Sequence, residues 1–244
     1  MTRNPILAAM TVAILFALLP ASAQPSAGSA PAASAATEIP RLPDGHPDLN
    51  GIWQIPYTPD MSRALAGKLP YTARGEAEFK NYDPAKFDYT GHCLPPGLTR
   101  AINTPDPIQI SQTKDNVVIL FEGFSSFITV HTDGRPHAKN IEPTWFGNSV
   151  GRWEGDTLVI DTIGFNDKTR LDTIGHVHSD QLHVVQRFTR KDATHIAFEI
   201  TVEDPVMYTE PFTNKRTFTL QPKWDLMEYV CGENNKDFAE GHIK

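Results

Sequence analysis

The stretch Ser149–Gly164 reads SVGRWEGDTLVIDTIG, and its reading decides the fold. Two runs, Ser149–Glu154 and Thr157–Gly164, flank the turn signal Glu154-Gly155-Asp156. Alternating side chains on either side of a glycine turn are the pattern of a β-hairpin. Working outward, similar short runs occur at Ile108–Gln112, Asn116–Glu122, Ser126–His131, His183–Arg190, His195–Val202, Arg216–Gln221 and Leu226–Cys231. Turn signals at Thr132-Asp133-Gly134-Arg135 and Arg190-Lys191-Asp192-Ala193 separate several of them. Parallel neighbours would need crossovers of a dozen residues or more, so tight turns predict antiparallel pairing. The expectation is a mainly β fold, either an antiparallel up-and-down barrel of lipocalin-like kind or a strongly curled sheet. A two-sheet β-sandwich is the alternative. Closure removes sheet edges, and at around eight strands a barrel can hold one small ligand.

Two segments precede the strands. Pro40–Gln54 is rich in turn formers and reads as an extended lead-in docked on the domain edge. Leu69–Tyr82 predicts one short surface helix, capped by Thr72, carrying Glu76 and Glu78 early and stopped by Pro84.

The N-terminus has the three parts of a secretory signal: Arg3, the apolar run Ile6–Leu19, and Ala21-Ser22-Ala23. Residues 1–23 are therefore expected to be removed. The apolar run of about 14 residues is short of the roughly 20 that span a bilayer, so no stable membrane anchor is expected. No cysteine adjoins the junction, which excludes a lipoprotein. Residues 24–37, almost wholly Ala, Ser, Pro and Gly, predict a disordered tether, leaving 38–244 as a single β-rich domain. A periplasmic or secreted location follows. The formal charge of −7 argues against nucleic acid or an anionic membrane as partner. The only two cysteines, Cys93 and Cys231, fit no metal spacing and predict one disulfide in an oxidising compartment.

The densest titratable cluster is Gly175–His183, reading GHVHSDQLH. Histidine is easily poised near neutral pH and is a common metal ligand. His176, His178 and His183 resemble the ligand run of cupins, with His183 standing where those proteins carry glutamate. A divalent metal on these three histidines is one expectation, though none is the favoured one. Asp161 shares a strand face with Val159 and Ile163, and Glu122 shares one with Val118 and Leu120. Carboxylates on an apolar face are either paired or shifted in pKa, which suits acid/base work. Arg187 is a candidate partner for Asp161. Trp153, Phe165 and Tyr208 could pack or line a ligand cavity, and the polar loop Gly164–Thr169, with Asn166, could form a pocket rim. No serine elbow, phosphate-cradling glycine loop or dinucleotide fingerprint occurs.

The segments GRWEGDTLVIDTIGFND, HSDQLHVVQRF and DPVMYTEPFTNKRTFTL resemble the hallmark wording of a largely uncharacterised family of secreted bacterial proteins. GHCLPPGLTR, TDGRPH and the closing CGENNKDFAEGHIK fit the same pattern, which spans most of the chain after the tether. One departure is Gln186, where the resemblance leads one to expect glutamate before Arg187. The resemblance implies export and a single domain, and no activity.

Three functions are in play. The first is an exported small-molecule enzyme of isomerase, lyase or hydrolase type, using acid/base chemistry in a barrel cavity without an organic cofactor. His178 would be its acid or base, His176 or Asp161 the orienting partner, and Arg187 the anion holder. Glu122, Trp153, Phe165, Asn166 and Tyr208 would contact the ligand. The second is a non-catalytic periplasmic carrier of an apolar or aromatic ligand. The third is a metal-dependent enzyme using the histidine cluster.

Overall fold

The structure, a computed structural model, describes residues 38–233 together with 235, 236 and 240. The signal peptide and tether of the sequence reading lie outside the described residues. Nine strands form a closed barrel in chain order: β1 (Gly51–Gln54), β2 (Ile108–Gln112), β3 (Asn116–Phe121), β4 (Ser126–His131), β5 (Asn148–Glu154), β6 (Thr157–Ile163), β7 (His183–Arg190), β8 (His195–Glu203) and β9 (Phe212–Leu220). All neighbours are antiparallel except β4 and β5, which meet in parallel at His131 and Val150. The connection through residues 132–147 is long enough for that crossover, and it runs as a strap over the outside of β6.

The lead-in does more than dock on an edge. Trp53 pairs with both Ile108 and Leu220, so β1 closes the barrel and removes two exposed edges. Leu226–Cys231, expected to be a strand, is not one. The tail is held by single bonds: Met227 N donates to Glu122 (2.8 Å) and Ser125 Oγ donates to the Tyr229 carbonyl (3.0 Å). The predicted disulfide Cys93–Cys231 is present, with Cα atoms 5.6 Å apart across 138 residues of sequence.

Among the described residues helix is confined to short pieces. The longest is α1 (Ala73–Asn81), where Thr72 Oγ1 accepts from Gly75 N at 3.1 Å, as the capping pattern foretold. Asp83 and Pro84 stop it and at once start α2 (Pro84–Phe87), followed later by α3 (Leu98–Ala101).

The barrel interior is filled by the inward residues of the alternating strands. Phe188, Phe198 and Phe218 pack ring on ring at 4.6–6.1 Å, backed by Ile160, Ile196 and Ile200. Each fully buried side chain of this kind contributes about 1.5–3 kcal/mol. One end is closed by Arg190, which lies 4.7 Å over the Trp53 ring and donates to the Asp48 (2.6 Å), Asp192 (2.7 Å) and Ala193 carbonyls. At the other end Asn214 Nδ2 donates to the Met61 carbonyl (3.1 Å) and Arg216 Nη1 to that of Ile102 (3.2 Å), tying the loops in place. That looped end carries the candidate site. At the level of the three phenylalanines the interior is occupied by packed side chains.

Candidate functional site

The loop joining β6 to β7 turns back on itself at Leu171–His176, where Leu171 N donates to the His176 carbonyl (2.8 Å). Gly175 permits the turn. Its φ is +95°, and a Cβ there would stand 2.1 Å from the Tyr82 ring. Inside the turn lies Asp172, fully buried. Its Oδ2 accepts from Met61 N at 2.7 Å and sits 2.5 Å from His176 Nδ1. Its Oδ1 accepts from the backbone N–H groups of Gly175 and His176, each at 3.2 Å.

This arrangement fixes the tautomer of His176. A carboxylate accepts and does not donate, so Nδ1 carries the proton and Nε2 carries the lone pair. Nε2 makes no hydrogen bond among the described residues and stands 3.9 Å from Asp60 Oδ1. Asp60 is held in turn as the cap of a 3-10 turn over Met61–Leu65, accepting from Ser62 N (2.9 Å) and Ser62 Oγ (2.6 Å). The imidazole stacks on Phe79 of α1 at 4.8 Å, with the Tyr71 ring at 6.1 Å. α1 reaches this position because Gly75 lets it dock on a backbone; a Cβ there would lie 2.2 Å from the Met207 carbonyl oxygen.

These groups face a cleft of about 630 Å³, whose other walls include Lys68, Pro70, Glu76, Lys80 and Ile174. The Tyr71 hydroxyl is buried beneath it without a well-formed hydrogen bond. Burial raises the Tyr71 pKa far above its ordinary value despite the nearby Tyr208 hydroxyl, and the charges of Asp172 and Asp60 raise it further. The phenol therefore stays protonated.

Asp60, Asp172 and His176 place donor atoms within 4.8 Å of one another, so this group can hold a metal ion. The chemistry of the donors limits that role. Four N–H groups already occupy the two oxygens of Asp172, about the full complement of a carboxylate. Asp172 is thus equipped to orient His176, and Asp60 Oδ1 already accepts from Ser62, which leaves His176 Nε2 as the donor atom of the group without a hydrogen bond among the described residues.

The other residues singled out from sequence go elsewhere. His178 is buried, with Nδ1 donating to the Ser179 carbonyl (2.9 Å) and Nε2 accepting from Thr169 Oγ1 (2.5 Å). Burial lowers its pKa, outweighing the Ser179 carbonyl, so it is neutral with both nitrogens engaged. Both of its ring nitrogens are therefore engaged, unlike those of His176. His183 lies on the outer face, between Asp161 Oδ2 (3.0 Å) and Glu203 Oε2 (3.2 Å). The three histidines therefore do not converge, and a metal shared by His176, His178 and His183 is excluded by their geometry.

Asp161 also faces outward, because Leu158, Ile160 and Thr162 are the inward residues of β6. Its partners are His183 and His137, whose Nε2 lies 2.9 Å from Oδ1, rather than Arg187. Burial opposes ionisation of Asp161, but hydrogen bonds to His137 and His183 hold its pKa below the ordinary value. The cluster pins the 132–147 strap to the barrel wall. Arg187 pairs with Glu154 at 2.8 Å on the same outer surface.

None of the expected ligand contacts lines the His176 cleft. Glu122 holds the tail through Met227. Trp153 stacks on His46 at 4.5 Å. Phe165 is buried edge-on to His178 at 6.4 Å. Asn166 Oδ1 accepts from Lys168 N at 3.1 Å. Tyr208 is buried, its hydroxyl donating to the Val177 carbonyl at 2.6 Å.

Asp172, Asp60 and Tyr71 went unnoticed in the sequence. The one local signal was Asp172-Thr-Ile-Gly-His176, an aspartate positioned to accept from its own turn before a histidine. Comparison with family models, characterised proteins and solved structures returned no match.

Proposed function

We propose that the chain is an exported small-molecule enzyme working by acid/base chemistry, with His176 as the general base. The observation that carries this reading is the Asp172–His176 pair at 2.5 Å, which aims the free Nε2 lone pair toward a 630 Å³ cleft. Its logic is that of a buried carboxylate orienting an imidazole and stabilising the imidazolium that forms. A proton leaving a substrate carbon or hydroxyl passes to Nε2, and Asp172 at Nδ1 and Asp60 at 3.9 Å balance the new positive charge. The same proton then returns to a different substrate atom or to a leaving group, giving isomerisation or elimination with no net change in the enzyme. Packing of Phe188, Phe198 and Phe218 against one another weighs against a carrier that holds its ligand in the barrel.

Export is supported by the signal-like N-terminus and by the disulfide, a bond that persists in oxidising compartments. Among the described residues no helix is long and apolar enough to cross a membrane.

The test is untargeted metabolite profiling of extracts treated with purified wild type, His176→Gln or His178→Asn. The reading expects metabolite changes with wild type that His176→Gln abolishes. It expects His178→Asn, if folded, to retain them. Identical profiles for wild type and folded His176→Gln would remove His176 from catalysis.

A further inference from the structure

α1 separates two clefts. Glu76, Phe79 and Lys80 face His176, whereas Glu78 and Tyr82 belong to a second cavity of about 400 Å³ on the opposite side. Its other walls include Phe87, Tyr89, Lys168 and Arg170. Neither residue set overlaps the other, so this second cavity stands independently of the acid/base reading.

Its electrostatics are unusual for a chain of net charge −7. The acidic wall residue Glu78 is already paired with Arg74 at 2.8 Å, and nearby Asp88 with Arg100 at 2.6 Å. Among the described residues, Lys168 and Arg170 have no carboxylate within ion-pair distance. Arg170 lies 4.6 Å over the Tyr82 ring, its Nη1 donating to the Thr169 carbonyl (2.7 Å) while its buried Nε has no partner. Lys168 Nζ stands 6.0 Å over Trp145, which stacks on Tyr89 at 6.4 Å. The Tyr89 wall is fixed from both sides, its hydroxyl donating to the Pro96 carbonyl (2.7 Å) and accepting from Arg170 N (3.2 Å).

Two cations with no ion-pair partner among the described residues, set among three aromatic walls, match a ligand with a flat apolar body and one negative end. A guanidinium offers a planar fork to a carboxylate and lysine adds a mobile point charge. The volume falls within the range of small-molecule sites. We infer that this cavity binds a small aromatic carboxylate, its acid group between Lys168 and Arg170 and its ring against Tyr82, Phe87 and Tyr89. The polar loop after β6 thereby acquires a role as the cationic rim of this cavity.

Isothermal titration with benzoate, benzamide and benzylamine tests the inference at fixed ionic strength. Benzoate is expected to bind saturably, at least about tenfold more tightly than neutral benzamide, equivalent to about 1.4 kcal/mol. Benzylamine is expected not to bind. Lys168→Gln, at an exposed position, is expected to weaken benzoate severalfold, and Lys168→Gln with Arg170→Gln to abolish binding while the fold persists by circular dichroism. His176→Gln is expected to leave benzoate affinity unchanged, which separates this site from the proposed active site. Absence of saturable benzoate binding, equal affinity for benzamide, or full affinity in Lys168→Gln would each overturn it.

Discussion

Asp172→Asn is the sharpest test of how the site is built. In the wild type, Oδ2 serves Met61 N and His176 Nδ1, while Oδ1 serves the N–H groups of Gly175 and His176. Asparagine keeps only one accepting oxygen. Whichever way its amide turns, two buried N–H donors meet an N–H2 group. Each orphaned donor costs about 1–3 kcal/mol, so the expected loss is about 2–6 kcal/mol. That is a large share of the roughly 5–15 kcal/mol that holds a domain together. For a domain of this size it corresponds to a melting temperature lowered by ~10 °C. If the amide oxygen turns to the backbone donors, His176 Nδ1 faces a donor, its proton shifts to Nε2 and the lone pair leaves the cleft. Guanidinium titration gives the stability, and nitrogen NMR of the histidine ring gives the tautomer. A loss below about 1 kcal/mol with the Nδ1–H tautomer intact would refute the assignment of Asp172 as the orienting group.

Other perturbations follow from the same contacts. The strap over residues 132–147 is held by His137, Asp161, His183 and Glu203. His183 is raised, since Asp161 and Glu203 outweigh its burial, so its contribution is full below its unfolded pKa of about 6.5 and is lost as pH rises through the higher folded value. Asp161 is depressed, so its contribution is full above about 3.9 and is lost as pH falls through the lower folded value. Hydrogen exchange of the strap, corrected for intrinsic rates, is expected to be slowest between about pH 4 and 6.5, and Asp161→Asn to flatten that profile; an unchanged profile in the variant would contradict it. Gly75→Ala should destabilise by about 1–3 kcal/mol, because the new Cβ would meet the Met207 carbonyl oxygen at 2.2 Å, although alanine favours an isolated helix by ~1 kcal/mol. A stabilised variant in thermal melting would refute that contact. Replacing Cys93 and Cys231 by alanine should cost up to about 5 kcal/mol and speed exchange in residues 222–231, with the barrel strands remaining protected.

The barrel was legible wherever one strand face was consistently apolar. His183–Arg190 and His195–Glu203 alternate along their whole length, and their ends were read almost to the residue. Reading failed where pairing is decided by distant chain. Gly51–Gln54 is a four-residue run with no alternation long enough to notice, yet Ile108 and Leu220 make it the closing strand. Leu226–Cys231 has a strand-like composition, but it is held by side-chain contacts to Glu122 and Ser125 and not by strand pairing. Asp161 was placed on the correct face with Val159, but that face is the outer one, covered in part by the strap. Period two gives the partition of a strand and not which side is interior.

The histidine cluster shows why residue type alone did not locate the chemistry. His176 and His178 are two residues apart, both almost fully buried, and both belong to the segment singled out from sequence. What separates them is the identity of each ring's neighbours. His178 meets a carbonyl on one nitrogen and a hydroxyl on the other, so a donor and an acceptor satisfy the neutral ring and nothing remains to accept a proton. His176 meets a carboxylate on one nitrogen only, which places the proton there and leaves the lone pair on the other. The partner that makes this difference, Asp172, is itself locked by Met61, which lies 111 residues away in sequence. A motif could therefore nominate the segment, but only the fold could choose between two adjacent candidates. The choice fell on the ring whose second nitrogen the protein leaves unbonded.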